Sequence, residues 1–278
     1  MLEILAALTS GVVVGLSLGL TGSVGSLFAI PLLLYLVGLN MAEAVPISLL
    51  VVGATALLGA LSAFRRGLLL TRPTILFGVV GILSAPLGIK LGGLTPEHWR
   101  IFGFSVLALV MAARMAWQSL NLESTRIVRA GLEFDENVGI CRYAPDGAMR
   151  FSIPCALALI VAGVSVGVLS GFFGVGGGFL IVPALMFVIR MDMSHAVGSS
   201  LAIIAMIGMT GGALAGIPVL LANSSAILFG AGSLAGMLGG RAISRNVAGP
   251  QLQRLFAFAL FATGVFMIAQ FIGGYDAL

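Results

Sequence analysis

The chain carries one glycine-rich passage twice, and each copy interrupts an apolar run that is too long for a single membrane-spanning helix. The copies occupy residues 15–31 and 167–183, 152 positions apart, and five glycine or proline positions coincide between them. The surrounding apolar runs, 4–38 and 151–189, would each extend at least about 52 Å as one helix, whereas the hydrocarbon core of a bilayer is about 30 Å thick. Each run must therefore turn back on itself.

The composition indicates a membrane protein with many crossings. Of the 278 residues, 59% are hydrophobic and 9% are charged, whereas soluble domains contain about 25% charged residues. The net charge of +4 is scattered between apolar stretches, so it forms no surface for nucleic acid. Six further stretches are close to the roughly 20 residues that a spanning helix needs: 44–64, 73–93, 99–119, 194–218, 223–243 and 252–273.

The positions of the basic residues indicate how the chain is threaded. If both broken runs return to the face on which they start, 12 of the 14 Lys and Arg residues share one side, and only Lys90 and Arg100 lie on the other. If each broken run crossed once, the split would be 8 to 6. Because cytoplasmic loops are enriched in Lys and Arg, we predict the first arrangement. It places the polar segment 120–150 in the cytoplasm and both termini outside it.

This threading predicts an all-α integral membrane protein built from two inverted-topology repeats. Each repeat consists of a Gly-broken, returning helix pair and three transmembrane helices. It therefore crosses the membrane a net odd number of times, so the second repeat lies upside down relative to the first. We divide the chain into a first transmembrane repeat at 1–119, a cytoplasmic polar loop at 120–150 and a second transmembrane repeat at 151–278.

The loop 120–150 and the two cysteines give weaker signals. Segments on either side of Asp146-Gly147 favour a small hairpin, although a plain linker is equally compatible with the sequence, and we assign the loop no role. Cys141 and Cys155 lack CxxC or metal-ligand spacing, so we expect no special chemistry from them.

A glycine turn inside a membrane is suited to binding an anion. It leaves backbone N–H groups without helical partners, lets a ligand approach them closely and sets the positive end of the following helix beside them. Inverted repeats bring two such helices toward one centre from opposite faces. The predicted substrate-binding residues are turn residues and nearby serines of both halves: Gly22, Ser23, Gly25, Ser26, Ser48, Gly174, Gly176, Gly177, Gly178, Ser199 and Ser200.

Glycines outside the turns have another interpretation. They recur at every fourth residue, which is typical of tight helix packing in lipid: Gly11/Gly15/Gly19, Gly163/Gly167/Gly171, Gly208/Gly212/Gly216 and Gly232/Gly236/Gly240. The run 171–178 is not a dinucleotide loop, because no strand precedes it and no acidic residue follows at the required distance.

Few ionisable residues lie within reach of the membrane. His195 opens the helix after the second broken run, and Glu43 is its equivalent in the first half. Either could carry a coupled proton, and both could equally be interfacial residues at helix starts. The sequence contains no Ser/His/Asp set, carboxylate pair or HExxH helix. We therefore predict no enzymatic activity, no metal site and no cofactor.

The chain resembles the TauE/SafE family of sulfite and organosulfonate exporters at two neighbouring motifs: Gly171-Phe-Phe-Gly-Val-Gly-Gly-Gly-Phe-Leu-Ile-Val-Pro183 and Ser194-His-Ala-Val-Gly-Ser-Ser-Leu201. The resemblance extends over nearly the whole chain outside the loop 120–150. It implies a carrier in the bacterial inner membrane for small sulfur-containing anions such as sulfite, thiosulfate or sulfonates. In that membrane the threading predicted from the basic residues places both termini in the periplasm. The first copy departs from the motif at Ser23-Val-Gly-Ser26, which leaves open whether both turns contact the substrate.

The sequence thus predicts a secondary transporter, working as an exporter by alternating access between inverted repeats. Its expected partners are a small sulfur-containing anion and the lipid bilayer, with no nucleic acid. A homo-oligomer is compatible with the sequence, which leaves the oligomeric state and the coupling ion open. Two alternatives remain: an anion channel built on the same site, and a non-transporting scaffold or assembly protein that docks partners through its glycine-rich helices.

Overall fold

A computed structural model describes most of the chain. The described residues are 2–120, 142–143, 149–150, 153–173, 178–189, 191, 193–244, 258 and 261–269. They include nine helices in chain order: α1 (Leu2–Thr21), α2 (Val24–Tyr35), α3 (Met41–Arg65), α4 (Thr71–Leu94), α5 (Glu97–Leu120), α6 (Ile153–Phe173), α7 (Gly178–Ile189), α8 (Met193–Ala222) and α9 (Ser224–Ser244). Residues 261–269 are helical as well.

The described helices confirm the predicted all-α membrane fold. Five contain stretches long and apolar enough to cross a membrane: Ile4–Thr21, Met41–Arg65, Thr71–Leu94, Ile153–Phe173 and His195–Gly212. Helix α4 shows why such a helix is suited to a membrane. Apolar side chains four residues apart are exposed along one face, from Ile75 to Leu91, with Leu83 74% exposed. Gly81 and Gly88 are buried on the opposite face. An apolar face of this extent needs a cover, which lipid supplies.

The first long run breaks where the sequence predicts. Helix α1 ends before Gly22, whose φ of 75° is a conformation that glycine adopts without steric cost. Its N–H donates to the Leu18 carbonyl at 2.7 Å, which closes the last turn of the helix. Ser23 then serves as the N-cap residue of α2. In the second half, α6 and α7 flank the predicted turn in the same way, but residues 174–177 lie outside the described part of the chain.

A short strand pair lies between the halves, where the hairpin is predicted. Strand β1 (Arg142–Tyr143) pairs antiparallel with β2 (Met149–Arg150). Residues 121–141 and 144–148 of the same loop are not among the described residues. Cys155, fully buried near the start of α6, is disulfide-bonded. The expectation of no special chemistry is therefore wrong for this cysteine.

Helix α1 of the first half packs on α9 of the second half through glycines. A side chain on any of three α1 glycines would run into a backbone carbonyl of α9: Gly11 against Phe229, Gly15 against Ser233 and Gly19 against Met237. The glycines are spaced by four, so they form one stripe along α1. The two backbones therefore approach as closely as helices can, which confirms the packing interpretation of this stripe.

Helices α6 and α4 repeat this contact in the same register. Three α6 glycines face backbone carbonyls of α4: Gly163 faces Phe77, Gly167 faces Gly81 and Gly171 faces Ala85. Each residue of this set differs by 152 positions from its counterpart in the contact between α1 and α9. The repeat that is visible in the sequence is thus also a repeat of helix contacts. In both contacts, a helix of the first half packs on a helix of the second half.

The equivalent helices α3 and α8 pack against each other in opposite directions. Three close approaches define the direction: Gly53 with Gly208, Gly59 with Leu201 and Ala63 with Gly198. The residue numbers increase along α3 while those of the contacting residues decrease along α8.

One contact between the halves differs in chemistry from its counterpart. The hydroxyls of Thr55 on α3 and Ser233 on α9, both fully buried, share a hydrogen bond of 3.1 Å. At the equivalent place, Gly81 on α4 lies against the side chain of Ile207 on α8. The backbone arrangement is therefore shared, but only one side carries a polar contact.

Replacing Gly88 by alanine is expected to destabilise the protein. A Cβ atom there would overlap the Val168 carbonyl and lie 2.8 Å from the Phe172 nitrogen, and overpacking of this kind costs about 1–3 kcal/mol. Gly93, further along α4, is the matched control because a Cβ atom there meets nothing within 4 Å. Thermal unfolding in detergent should show a lower Tm for Gly88→Ala only. Equal Tm values for the two variants would contradict the packing.

Candidate functional site

The N-termini of α2 and α7 meet inside the protein. A Cβ atom on Gly178 would lie 2.6 Å from Ser26 Oγ and 3.0 Å from the Ser23 carbonyl oxygen. Ser26 and Gly178 are equivalent in the 152-residue register, so the contact joins matching positions of the two halves. The first N–H groups of a helix have no carbonyl partner within it. Two sets of such donors, each with the positive end of a helix dipole, are therefore brought to one place.

Ser23 provides an unpartnered donor at this place. Its side chain is fully buried, and its hydroxyl has no hydrogen-bond partner. It occupies the N-cap position of α2 without making the usual capping bond from its side chain. A buried hydroxyl without a partner costs about 1–3 kcal/mol, so the fold keeps Ser23 at the expense of stability. Such a group is suited to donating to a ligand.

Two other predicted serines are engaged within the protein. The Ser26 hydroxyl donates to the Ser23 carbonyl at 2.8 Å, which ties the first turn of α2 to its cap. The Ser200 hydroxyl donates to the Val197 carbonyl at 2.9 Å and lies 3.4 Å from the Gly22 carbonyl. Each hydroxyl has one proton. These serines therefore shape the first glycine turn and fasten it to α8.

Ser199 and Ser48 are both buried, on α8 and α3. The Ser199 hydroxyl accepts a hydrogen bond from the Leu70 N–H at 3.3 Å, so it holds the start of α4. Ser48 is fully buried on α3 and is the equivalent of Ser200. Their shared burial indicates that both halves place a serine on the helix that follows the glycine turn.

The three predicted glycines that the structure describes have different surroundings. Gly22 forms the reversal itself, and a side chain there would overlap Val197 of α8. Gly25 packs α2 on α1, because a Cβ atom there would overlap the Val14 carbonyl. Gly178 lies at the meeting point of the helices. Gly174, Gly176 and Gly177 lie outside the described residues, and their assignment to the site stays a prediction.

His195 and Glu43 do not share a site. They lie in the first turns of α8 and α3, and these helices run in opposite directions, so the two residues are at opposite ends of the pair. Both are partly buried. His195 is nearer to the first glycine turn, since Val197 of the same helix contacts Gly22. Among the described residues, no group of His, Cys, Asp and Glu could hold a metal ion.

Ser170 was not predicted from the sequence. It is 1% exposed, and its hydroxyl has no hydrogen-bond partner. It is the equivalent of Leu18, whose Cβ atom would lie 2.6 Å from one on Gly25. Ser170 therefore belongs to the face of α6 that corresponds to the α2-facing side of α1. The available signal was a serine one turn before the glycine cluster in an otherwise apolar stretch.

The electrostatic character of the interior is neutral and rich in donors. Within the described residues, every buried polar side chain is a serine or a threonine. A ligand at the meeting point of α2 and α7 would encounter backbone N–H groups, hydroxyls and helix dipoles. This combination suits a small anion, because hydrogen bonds to a charged group are worth about 1.5–3 kcal/mol each.

A multi-pass helical protein whose broken helices meet at its centre has the architecture of a membrane transporter. The family model described as "Sulfite exporter TauE/SafE" matches residues 7–267. The chain therefore belongs to the TauE/SafE family of membrane transporters, which confirms the resemblance seen in the sequence. Its relatives are transporters and not enzymes.

Curated relatives agree with this class. A "Probable membrane transporter protein" of Xylella fastidiosa (strain 9a5c) is 34% identical over 208 residues, which are 74% of this chain and 72% of the relative. The "Probable membrane transporter protein YdhB" of Bacillus subtilis (strain 168) is 24% identical over 201 residues, 71% of this chain and 73% of the relative. No solved structure matches the chain.

Replacing Gly22 by alanine is expected to disrupt the turn more than the same change at Gly38. Both glycines have φ near +75°, so both substitutions carry a backbone cost of about 1–2 kcal/mol. A Cβ atom on Gly38 meets nothing within 4 Å, whereas one on Gly22 overlaps Val197. The contact should add about 1–3 kcal/mol. Equal losses of stability in chemical denaturation would argue against the contact of the turn with α8.

Proposed function

We propose that this transporter carries small sulfur-containing anions, such as sulfite, thiosulfate and organosulfonates, and that it exports them. The binding site is the place where the N-termini of α2 and α7 meet. The observation that carries the proposal is the fully buried, unpartnered hydroxyl of Ser23, located where one helix N-terminus abuts another. The description of the family as sulfite exporters supports the substrate class.

The chemistry of the site fits an oxyanion of sulfur. Ionised S–O groups accept hydrogen bonds and donate none, so they require N–H and O–H donors. The first N–H groups of α2 and α7 and the Ser23 hydroxyl can provide them, and the helix dipoles favour negative charge. None of the described buried side chains is a fixed cation. The anion is therefore held by many moderate interactions, which lets it leave again.

The halves act as inverted repeats that expose the site alternately. Three arrangements support this part of the proposal: the antiparallel crossing of α3 and α8, the exchange of helix contacts at a constant offset of 152 positions, and the contact of Ser26 with Gly178. Because a two-fold relation gives both glycine turns similar surroundings, rocking of one half against the other opens the centre to either face in turn.

Export follows from the membrane potential. A cell interior that is negative to the outside favours anion exit by about 2.3 kcal/mol per charge at 100 mV, so export needs no coupled ion. Uptake would need protons or sodium to overcome the same energy. The neutral interior of the described part of the chain provides few groups for such coupling.

The orientation in a bacterial inner membrane rests on charge. Twelve of the 14 basic residues share the predicted cytoplasmic side with the loop 120–150. The disulfide at Cys155 favours the opposite orientation, since structural disulfides are rare in the cytoplasm. We give greater weight to the twelve charges, because the excess of Lys and Arg in short loops determines how helices insert.

Thiol labelling of intact cells checks this orientation. With Cys155 replaced by serine, Cys141 should resist a membrane-impermeant maleimide in intact cells and react once the cells are permeabilised. Labelling before permeabilisation would place the loop 120–150 outside the cytoplasm and reverse the orientation. Replacing Cys141 by serine as well supplies the background signal.

Replacing Ser23 by alanine tests the binding site. Loss of one hydrogen bond to a charged ligand should weaken anion binding by about tenfold or more. Stability should be unchanged or slightly higher, because the removed hydroxyl has no partner. Ser10 is the matched control: it is 1% exposed and also unpartnered, but lies three turns earlier on α1. Ser10→Ala should therefore leave binding unaffected.

Two measurements make the test decisive. Thermal stabilisation by sulfite, thiosulfate, taurine, sulfate and chloride identifies the ligand, since binding to the folded state raises stability by RT ln(1 + [L]/Kd). Counterflow of labelled anion into proteoliposomes then separates a carrier, which saturates and exchanges, from a channel, which passes ohmic current. Equal binding by Ser23→Ala and the wild type would refute the site, and no stabilisation by any sulfur anion would refute the substrate class.

A further inference from the structure

The first glycine turn is joined to the loop between α3 and α4. Ser200 of α8 reaches the Gly22 carbonyl at 3.4 Å. The preceding residue, Ser199, accepts the Leu70 N–H of that loop at 3.3 Å, and a Cβ atom on Gly198 would lie 2.9 Å from the Leu68 carbonyl. The loop therefore lies against the start of α8, which in turn lies against the turn at Gly22.

Four arginines surround this end of the site, and we call them the basic mouth. Arg65, Arg66 and Arg72 flank the loop and are exposed. Arg241 of α9 is beside the end of α1, because a Cβ atom on Gly19 would lie 2.9 Å from its backbone nitrogen. Three exposed guanidinium groups on one short connection produce a strong local positive potential.

The opposite end lacks this charge although its backbone is equivalent. The counterparts of the four arginines at an offset of 152 positions are uncharged: Ile217, Pro218, Ser224 and Ile89. The charged residues described nearest to that end include Lys90 on α4 and Glu43 on α3, which have opposite signs. The two ends of a two-fold-related site are thus electrostatically different.

We propose that the basic mouth captures the anionic substrate and guides it to the turn at Gly22, so that the transporter loads preferentially from that side. This inference rests on the proposed function. Electrostatic capture raises the rate of association by 10-fold to 1000-fold in favourable cases and is screened by salt over about 10 Å at 0.1 M. Capture should therefore lower the KM for substrate at the arginine face and leave the KM at the other face unchanged.

The same arginines could bind anionic lipid headgroups, which share the chemistry of the substrate. They also fit the general enrichment of basic residues in cytoplasmic loops. Neither of these roles makes substrate affinity dependent on salt in a bilayer without anionic lipid. Vesicles of pure phosphatidylcholine therefore separate capture of substrate from both roles, and vesicles containing phosphatidylglycerol report on the lipid.

The experiment compares two triple variants in phosphatidylcholine proteoliposomes. The variant R65Q/R66Q/R72Q loses the three positive charges. The variant R65K/R66K/R72K keeps them, and it also keeps the positive charge that directs how the helices insert into the membrane. Initial rates of sulfite counterflow are measured from each face at low and high salt. We expect the glutamine variant to raise the KM at the arginine face by about 3-fold to 10-fold at low salt, with kcat unchanged. The lysine variant and Lys90→Gln should resemble the wild type.

Distinct outcomes overturn distinct claims. A glutamine variant with the wild-type KM and salt dependence overturns capture by the basic mouth and leaves the proposed function intact. A KM effect that occurs only with phosphatidylglycerol assigns the arginines to lipid and overturns capture as well. A wild type that binds sulfite but shows equal salt dependence at both faces overturns the preference for one side. A wild type that neither binds nor carries sulfur anions overturns both proposals.

Discussion

The close approach of helix backbones at glycine is the constraint on which the rest of the structure depends. Helices of one half lie directly on helices of the other, α1 on α9 and α6 on α4, with carbonyls where side chains would be. In lipid, apolar side chains gain little by leaving their surroundings, so association relies on dispersion contacts and close fit. Glycine stripes supply that fit. They also bind the halves together outside the site, which leaves the centre free for short, broken helices.

At the centre, two local features lower the stability of the fold, and the glycine contacts between the helices offset this loss. Ser23 is buried without a partner, and the chain passes through Gly22 in a left-handed conformation. Neither feature helps the isolated protein to fold. Both are explained if the first turn of α2 must present its donors toward α7. The serines on either side, Ser26 and Ser200, satisfy backbone carbonyls and so hold the turn in this form.

Much of the fold could be predicted because it follows from the lengths of the apolar runs and from the spacing of the glycines. The run 4–38 had to break, and glycine marked the place; α3 and α4 were predicted to within a few residues of their observed bounds. The site was harder. Nothing local to Ser199 shows that its hydroxyl accepts the Leu70 N–H, and nothing local to Ser170 shows that it lacks a partner, since both depend on which helices become neighbours. The internal bonds of Ser26 and Ser200 depend on backbone turns that sequence patterns do not resolve.

The contact between Thr55 and Ser233 would have an energetic consequence under the proposed alternation of the halves. If the halves were identical and alternated in this way, the proposed inward-facing and outward-facing forms would be exchanged by a two-fold rotation and would have equal free energy. A hydrogen bond present on one side, where Gly81 and Ile207 stand on the other, is worth about 1 kcal/mol. That difference corresponds to roughly a fivefold population ratio. If this bond is made in only one of the two forms, the pair of hydroxyls favours that form by the same ratio, whereas the glycine contacts shared by both sides favour neither form.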